Sequence, residues 1–157
     1  MQVEIQDVIF TNKQNIPWND VEEYLKQYVG KCFTVKETGD IIYIGGDFPD
    51  EYTESGYTRA LRGALAKVKA NASTIISEII ENAENRRWME NKNEKHRKDA
   101  SGGWYRYDVY FGMPVQGSQE SEKRMNIYKS TVIVRIKGEK LYLYDIINIK
   151  KEASTPH

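Results

Sequence analysis

The chain has one cysteine, Cys32, in 157 residues, so no disulfide can close within it and no cysteine-based zinc cluster can assemble. Cys32 is expected to serve as a small buried apolar residue. No apolar run approaches the roughly 20 residues that cross a bilayer, and the opening MQVEIQDVIF lacks the basic start and apolar centre of a signal peptide. A cytoplasmic chain without a membrane partner is the expectation. Histidine is almost as scarce: His157 stands at the end of the chain and His96 is the only internal one, which, with one cysteine, argues against a transition-metal site. There is no G-x-S-x-G, no P-loop and no H-E-x-x-H, and "IGGDF" lacks the third glycine and the following helix of a dinucleotide fingerprint. No metal and no cofactor are expected.

What the chain does have is enough apolar and aromatic material for one core: 39% hydrophobic residues, with 11 Tyr, 4 Phe and 3 Trp. That length and composition predict one α+β domain over residues 1–157. Formal net charge is zero, but unevenly spread. Residues 1–55 hold 4 Lys/Arg against 11 Asp/Glu, 56–100 hold 10 against 6, and 101–157 hold 9 against 6. A basic centre can meet phosphates while the acidic segment limits indiscriminate polyanion binding, because exposed charges are screened beyond about 10 Å at 0.1 M salt.

Periodicity gives the order of elements. Residues 1–15 read as an arm or short strand. Pro17 precedes "WNDVEEYLKQYVGK", a helix over about 18–29 with Val21, Tyr24, Leu25 and Tyr28 on one stripe and Gly30 as its stop. "CFTVKETGDIIYIGG" reads as a β-hairpin. "DFPDEYTESG" reads as an acidic loop whose carboxylates, Asp47, Asp50, Glu51 and Glu54, do not match calcium-loop spacing. "YTRALRGALAKVKANA" predicts one helix with Ala60, Leu61, Ala64, Leu65 and Val68 inward and four cations, Arg59, Arg62, Lys67 and Lys69, without an acid. "STIISEIIENAENRRW" predicts a second helix, with Ile75, Ile76, Ile79, Ile80 and Ala83 buried. Three strands follow, "WYRYDVYFGMPV", "MNIYKSTVIVRIKG" and "KLYLYDIINIKK", the last two joined by the Gly138-Glu139 turn. The polar linker 116–124 connects two of them, and 152–157 reads as a frayed tail. The predicted fold is thus an N-terminal helix and hairpin, two central helices, and a three-stranded antiparallel sheet with helices on one face.

The residues worth weighing for chemistry are the basic helix, the loop "ENKNEKHRKDASGG" and the polar side chains of the final sheet. Metal-independent RNA cleavage by 2′-OH attack needs a base, an acid and cations for the developing phosphorane charge. His96 has the right intrinsic pKa for base or acid work. Arg59 and Lys67 could hold the scissile phosphate while Thr131 and Tyr144 face it from the sheet. Arg62, Lys69, Lys95, Arg135 and Trp104 would extend nucleic-acid contact. Each has a plainer alternative: a solvated loop around His96, surface ion pairs of Arg59 or Arg62 with Glu54 or Glu51, and core positions for half of the aromatics Trp88, Trp104, Tyr105, Tyr107, Tyr110 and Phe111.

The segments "YTRALRGALAKVKANAS", "NRRWMENKNEKH", "GWYRYDVYFGMPV" and "LYLYDIINIKKEASTP" resemble domains of prophage and conjugative-element proteins of Firmicutes, often parts of very large polyvalent or head-morphogenesis polypeptides. The chain looks like the phage-associated relatives of the barnase, EndoU, colicin and RelE-like nuclease group. That resemblance covers about residues 16–156 and implies N-terminal helices followed by an antiparallel sheet, a basic helix residue and a His, and Thr or Tyr from the strands, at the active site. The absence of a second internal histidine departs from a two-histidine mechanism of the EndoU kind and leaves a one-histidine or Arg/Lys-driven site. The expected partners are RNA, or another protein of the same phage or conjugative element. Three functions therefore stand side by side: a mobile-element ribonuclease, nucleic-acid binding without cleavage, and a noncatalytic interaction module.

Overall fold

The computed structural model describes residues 3–12, 14–91, 100–115 and 124–156. Val3–Glu4 forms the short strand β1. Trp18–Leu25 forms helix α1, which tightens into one 3₁₀ turn over Lys26–Tyr28 before Gly30 at φ +87° ends it. Val21 and Leu25 are its fully buried residues, four apart and so on one face. Cys32–Thr34 (β2) and Ile41–Tyr43 (β3) make the expected antiparallel hairpin, with Gly39 in the left-handed region at its turn. Cys32 is exposed on β2, not buried: this strand is the last in the sheet and that position faces away from the core.

The acidic segment expected as a loop is a helix, α2, Phe48–Glu54. Pro49 sits in its first turn, where a missing N–H costs nothing, Asp50 and Glu51 lie near the positive end of the helix dipole, and Phe48 and Tyr52 are both buried one turn apart. The basic helix is broken in two, α3 (Gly56–Ala60) and α4 (Gly63–Ala72). Leu61 and Arg62 are extended and Gly63 takes φ +63°, a conformation a side chain disfavours. Ser55 caps α3 by accepting from the Thr58 N–H at 3.2 Å. The break redirects α4: Ala60 and Ala64, expected inward, are exposed, while every residue from Ala66 to Ala72 is buried. The next helix, α5 (Ile76–Glu81), buries Ile76, Ile79 and Ile80 as expected but stops at Asn82. Residues Glu84–Met89, expected to continue it, form strand β4. Asn85 at φ +57° sits in the bulge between Glu84 and Arg87 that starts this strand's pairing.

Trp104–Pro114 (β5), Arg124–Lys137 (β6) and Lys140–Pro156 (β7) are the three long antiparallel strands, and β7 runs through the segment expected as a frayed tail. They are the centre of a larger sheet than the expected three strands. The described strands form a seven-stranded mixed sheet in the order β1-β5-β6-β7-β3-β2, with β4 also on β5. The pairs β1–β5 and β3–β7 are parallel. The hairpin thus extends the sheet through β3. Tyr107, Val109 and Phe111 of β5, Val132 and Val134 of β6, and Leu143 and Ile146 of β7 face the α1, α2, α4 and α5 core residues in one apolar cluster. The helices do not simply cover one face: β3 pairs with β7 only over Leu141–Tyr142, and farther along that strand the Tyr57 hydroxyl of α3 accepts the Ile149 N–H at 2.9 Å.

Two polar contacts hold these layers in register. Lys69 of α4 is wholly buried, and its Nζ lies 2.5 Å from Oδ1 of Asp145 on β7. The ammonium also stands 4.5 Å from the Tyr52 ring centroid and 5.0 Å from that of Tyr57. Burial pushes the Lys69 pKa below its ordinary value and that of Asp145 above its own, each opposed by the other's charge. Between the hairpin and strands β4 and β5, Asp40 in the β2–β3 turn accepts hydrogen bonds from Thr38 Oγ1 (2.7 Å), the Tyr107 hydroxyl (2.7 Å) and Arg86 (2.9 Å). Desolvation works to raise the Asp40 carboxyl, but these donors and the Arg86 charge outweigh it and hold its pKa below the ordinary value.

Removing one member of a buried ion pair strands the other, at a cost of about 3–5 kcal/mol, whereas replacing both by apolar groups is often far milder. Lys69→Met is therefore expected to lose stability on that scale in denaturant unfolding, and Lys69→Met/Asp145→Leu to be more stable than the single variant. A single variant within about 1 kcal/mol of the parent would show that the pair does not anchor α4. Asp40 gives a pH test. Its folded pKa is depressed, so its contribution is present above the unfolded value and is lost as pH falls through the folded one. Asp40→Asn should destabilise by about 1–3 kcal/mol at pH 7, and its gap from the parent should narrow below about pH 4. A gap constant from pH 7 to pH 2 would contradict the assignment.

Candidate nucleic-acid interface

Alternation along β5 splits the sheet into two unlike faces. Tyr107, Val109 and Phe111 enter the core, while Trp104, Arg106, Asp108 and Tyr110 project from the other face and remain partly or largely exposed. Cross-strand register extends this second face over β6 and β7. Tyr110 is opposite Lys129, which is opposite Lys150; Asp108 is opposite Thr131, which is opposite Ile147; Trp104 is opposite Arg135, which is opposite Tyr142.

Each row has its own chemistry. Lys129 Nζ lies 5.8 Å from the Tyr110 ring centroid, and Tyr110 is 42% exposed, so an exposed ring and two lysines share one end of the face. Asp108 accepts from Asn85 Nδ2 at 2.9 Å and pairs with Arg87 at 3.1 Å. Partial burial works to raise its carboxyl, but Asn85, Arg87 and Lys129 hold it below its ordinary value. The middle of the face thus carries a carboxylate already matched by an arginine. At the other end the Trp104 and Tyr144 rings meet edge to face at 5.2 Å. Arg135 lies under them, 5.8 Å from the Tyr142 centroid and 6.0 Å from that of Tyr144, and its Nη1 is 2.5 Å from Glu51 of α2. Tyr144 is two residues on from Tyr142 and so on the same face, and it is left without a partner on β6 by a bulge: Ile133 pairs with Asp145 and Val134 with Leu143.

The structure brings together four of the residues singled out from sequence, Thr131, Arg135, Tyr144 and Trp104, on this one face. It does not bring the helix cations there. Arg59 is paired with Glu54 at 3.0 Å on the surface, the plainer of its two expected roles. Arg62 folds back to donate to the Arg59 and Leu61 carbonyls at 2.5 and 2.7 Å. Lys67 and Lys69, expected on the surface as phosphate ligands, are buried in α4, Lys69 against Asp145; from Ala66 to Ala72 the helix is enclosed on every side, so both lie inside. Arg135, also expected to meet nucleic acid, is nearly buried against Glu51. His96 and Lys95 lie outside the described residues.

Three cations of this face, Arg106, Lys129 and Lys150, escaped the sequence reading, and they form no ion pair among the described residues. Arg106 and Lys129 have no charged neighbour on either side in the chain, while Lys150 is followed by Lys151. Their signal was there in the alternation of "WYRYDVYF", but only register shows that β6 and β7 add lysines to the Tyr110 side. Among the described residues no three His, Cys, Asp or Glu side chains group closely enough to hold a metal ion, and no helix is long and apolar enough to cross a membrane. No family model, curated protein or solved structure matches the chain.

Proposed function

We propose that this chain binds single-stranded RNA on the outer face of β5, β6 and β7, as a nucleic-acid-binding component of a mobile-element polypeptide. The observation that carries the proposal is the row Tyr110, Lys129, Lys150, with Arg106 beyond the Asp108 row and the Trp104–Tyr144 ring pair at the far end. Exposed rings accept unstacked bases irrespective of sequence, and cations spaced between them follow the phosphates. The face is a strand surface, so its side chains are held by backbone pairing on both sides and little ordering remains to be done on binding. Asp108 repels little because Arg87 neutralises it.

Cleavage is left out of the proposal because the cations meant to hold a scissile phosphate do not converge. Lys67 and Lys69 are buried and Arg59 sits against Glu54. A stabilising cation must come within hydrogen-bond reach of the developing charge, roughly 3 Å.

Fluorescence anisotropy with a labelled single-stranded RNA, run from low to moderate salt in EDTA, tests the proposal. Tyr110→Ala should weaken binding by about 1–3 kcal/mol, the value of one base stacked on one ring. Lys129→Ala/Lys150→Ala should flatten the dependence of log K on log salt by about 1.4, since each phosphate contact on a single strand contributes about 0.7. Binding unchanged in all of these variants would remove the face from consideration. The RNA is recovered and sized in the same tubes: intact RNA agrees with binding alone, and cleavage that disappears in His96→Ala would restore the ribonuclease.

A further inference from the structure

The N-terminal arm is fastened at two points and open between them. At its start, β1 pairs with Phe111–Gly112 and the Ile5 N–H donates to the Gly112 carbonyl at 2.8 Å. At its end, the Asn71 side chain clamps Phe10 from both sides, Oδ1 accepting the Phe10 N–H at 3.0 Å and Nδ2 donating to the Phe10 carbonyl at 2.8 Å. Over Asp7, Val8 and Ile9 the main chain makes no hydrogen bond among the described residues. Backbone pinned at both ends with its donors and acceptors unused can accept an added strand.

A groove of about 510 Å³ runs beside this open stretch, between the arm, α1 and α5. That volume lies within the range of about 300–1,000 Å³ typical of binding clefts. Its apolar wall includes Ile75, Tyr24 and Ile9, and Ile9 is 50% exposed. Among the described residues its charged lining is of one sign: Glu4, Asp7 and Glu78 contribute, and no lysine or arginine does. An occupant must therefore offer main-chain hydrogen bonds, apolar side chains and positive charge together. An anion, a nucleic acid or a second acidic surface is repelled there.

We infer that the groove beside the N-terminal arm binds an extended basic peptide segment of a partner protein. Its main chain pairs with Asp7–Ile9, its apolar side chains enter the groove, and its lysines or arginines meet Asp7 and Glu78. Alternate side chains of an extended peptide point to opposite sides, so a sequence alternating cationic and apolar residues fits a groove that is apolar on one side and acidic along its rim. The site is separate from the RNA-binding face and does not depend on it.

The test uses the whole chain and a fluorescein-labelled, end-blocked seven-residue peptide alternating lysine and valine. Saturable binding is expected, at least tenfold weaker in Asp7→Lys/Glu78→Lys and unchanged in Glu139→Lys, which alters an acid in the β6–β7 turn. A peptide with glutamate in place of lysine should not bind. The lysine peptide N-methylated at every residue, which cannot donate main-chain hydrogen bonds, should bind at least tenfold more weakly. Absence of binding, equal binding of the glutamate or N-methylated peptide, or an equal loss in Glu139→Lys would each overturn the inference. Should the double lysine variant fail to show the parent's thermal transition, Asp7→Asn/Glu78→Gln replaces it, with the same tenfold criterion.

Discussion

The placement of two charges without water constrains much of this fold. Lys69 and Asp145 are 76 residues apart in sequence and share a site with essentially no solvent access. Neither could be left there alone, since an unpaired buried charge is among the most costly features a core can carry. For Nζ to reach Oδ1, α4 must present its cationic side to β7, and the chain must therefore change direction between α3 and α4. Gly63 with φ +63° and the extended Arg62 make that change. The rings of Tyr52 and Tyr57 close around the ammonium, and the Tyr52 hydroxyl donates to the Lys69 carbonyl at 2.5 Å. One ion pair thus fixes how α2, α3 and α4 meet β7.

The same constraint shapes the outer face. Asp145 and Tyr144 are adjacent residues on β7, and successive side chains of a strand point to opposite faces. Asp145 is thereby committed to Lys69, and Tyr144 to Trp104 and Arg135. Arg135 in turn reaches Glu51 on α2, so α2 is joined to the far face as well as to the core. Buried helix cations and half-buried strand rings are consequently two outcomes of one local geometry. Arg106, Lys129 and Lys150 stay on that face without an ion pair among the described residues, and Lys129 adds its charge to the field around Asp108.

How much of this could be read from the sequence depended on the range of the interaction involved. The α1 stripe, the β2–β3 hairpin, the buried isoleucines of α5 and the pairing of β5, β6 and β7 follow from spacing and turn residues within a few positions, and the structure has them all. The α2 helix was hidden because Pro49, Asp50 and Glu51 look like loop residues, although the same residues suit a first helical turn. Strand β4 was hidden because Glu84–Met89 continues a helical pattern; pairing with β5 decides it. Of the candidate site, the strand residues Trp104, Thr131, Arg135 and Tyr144 were legible as a group because period two puts alternate residues on one face. The helix group dissolved because Lys67 and Lys69 carry no local sign of burial.

Helix α4 shows why that sign is missing. A helix polar on one side is ordinarily taken to face water there, yet from Ala66 to Ala72 this helix is buried all round. Its polar residues each answer a distant demand: Lys69 that of Asp145, Asn71 that of the Phe10 main chain in the arm. Small alanines between them let the neighbouring elements come close enough for those bonds to form. The arm is therefore held from inside the core by Asn71, and only its middle, from Asp7 to Ile9, is left without a main-chain partner. A basic helix that looks like a phosphate-binding surface is here the internal hub to which sheet and arm are both tied.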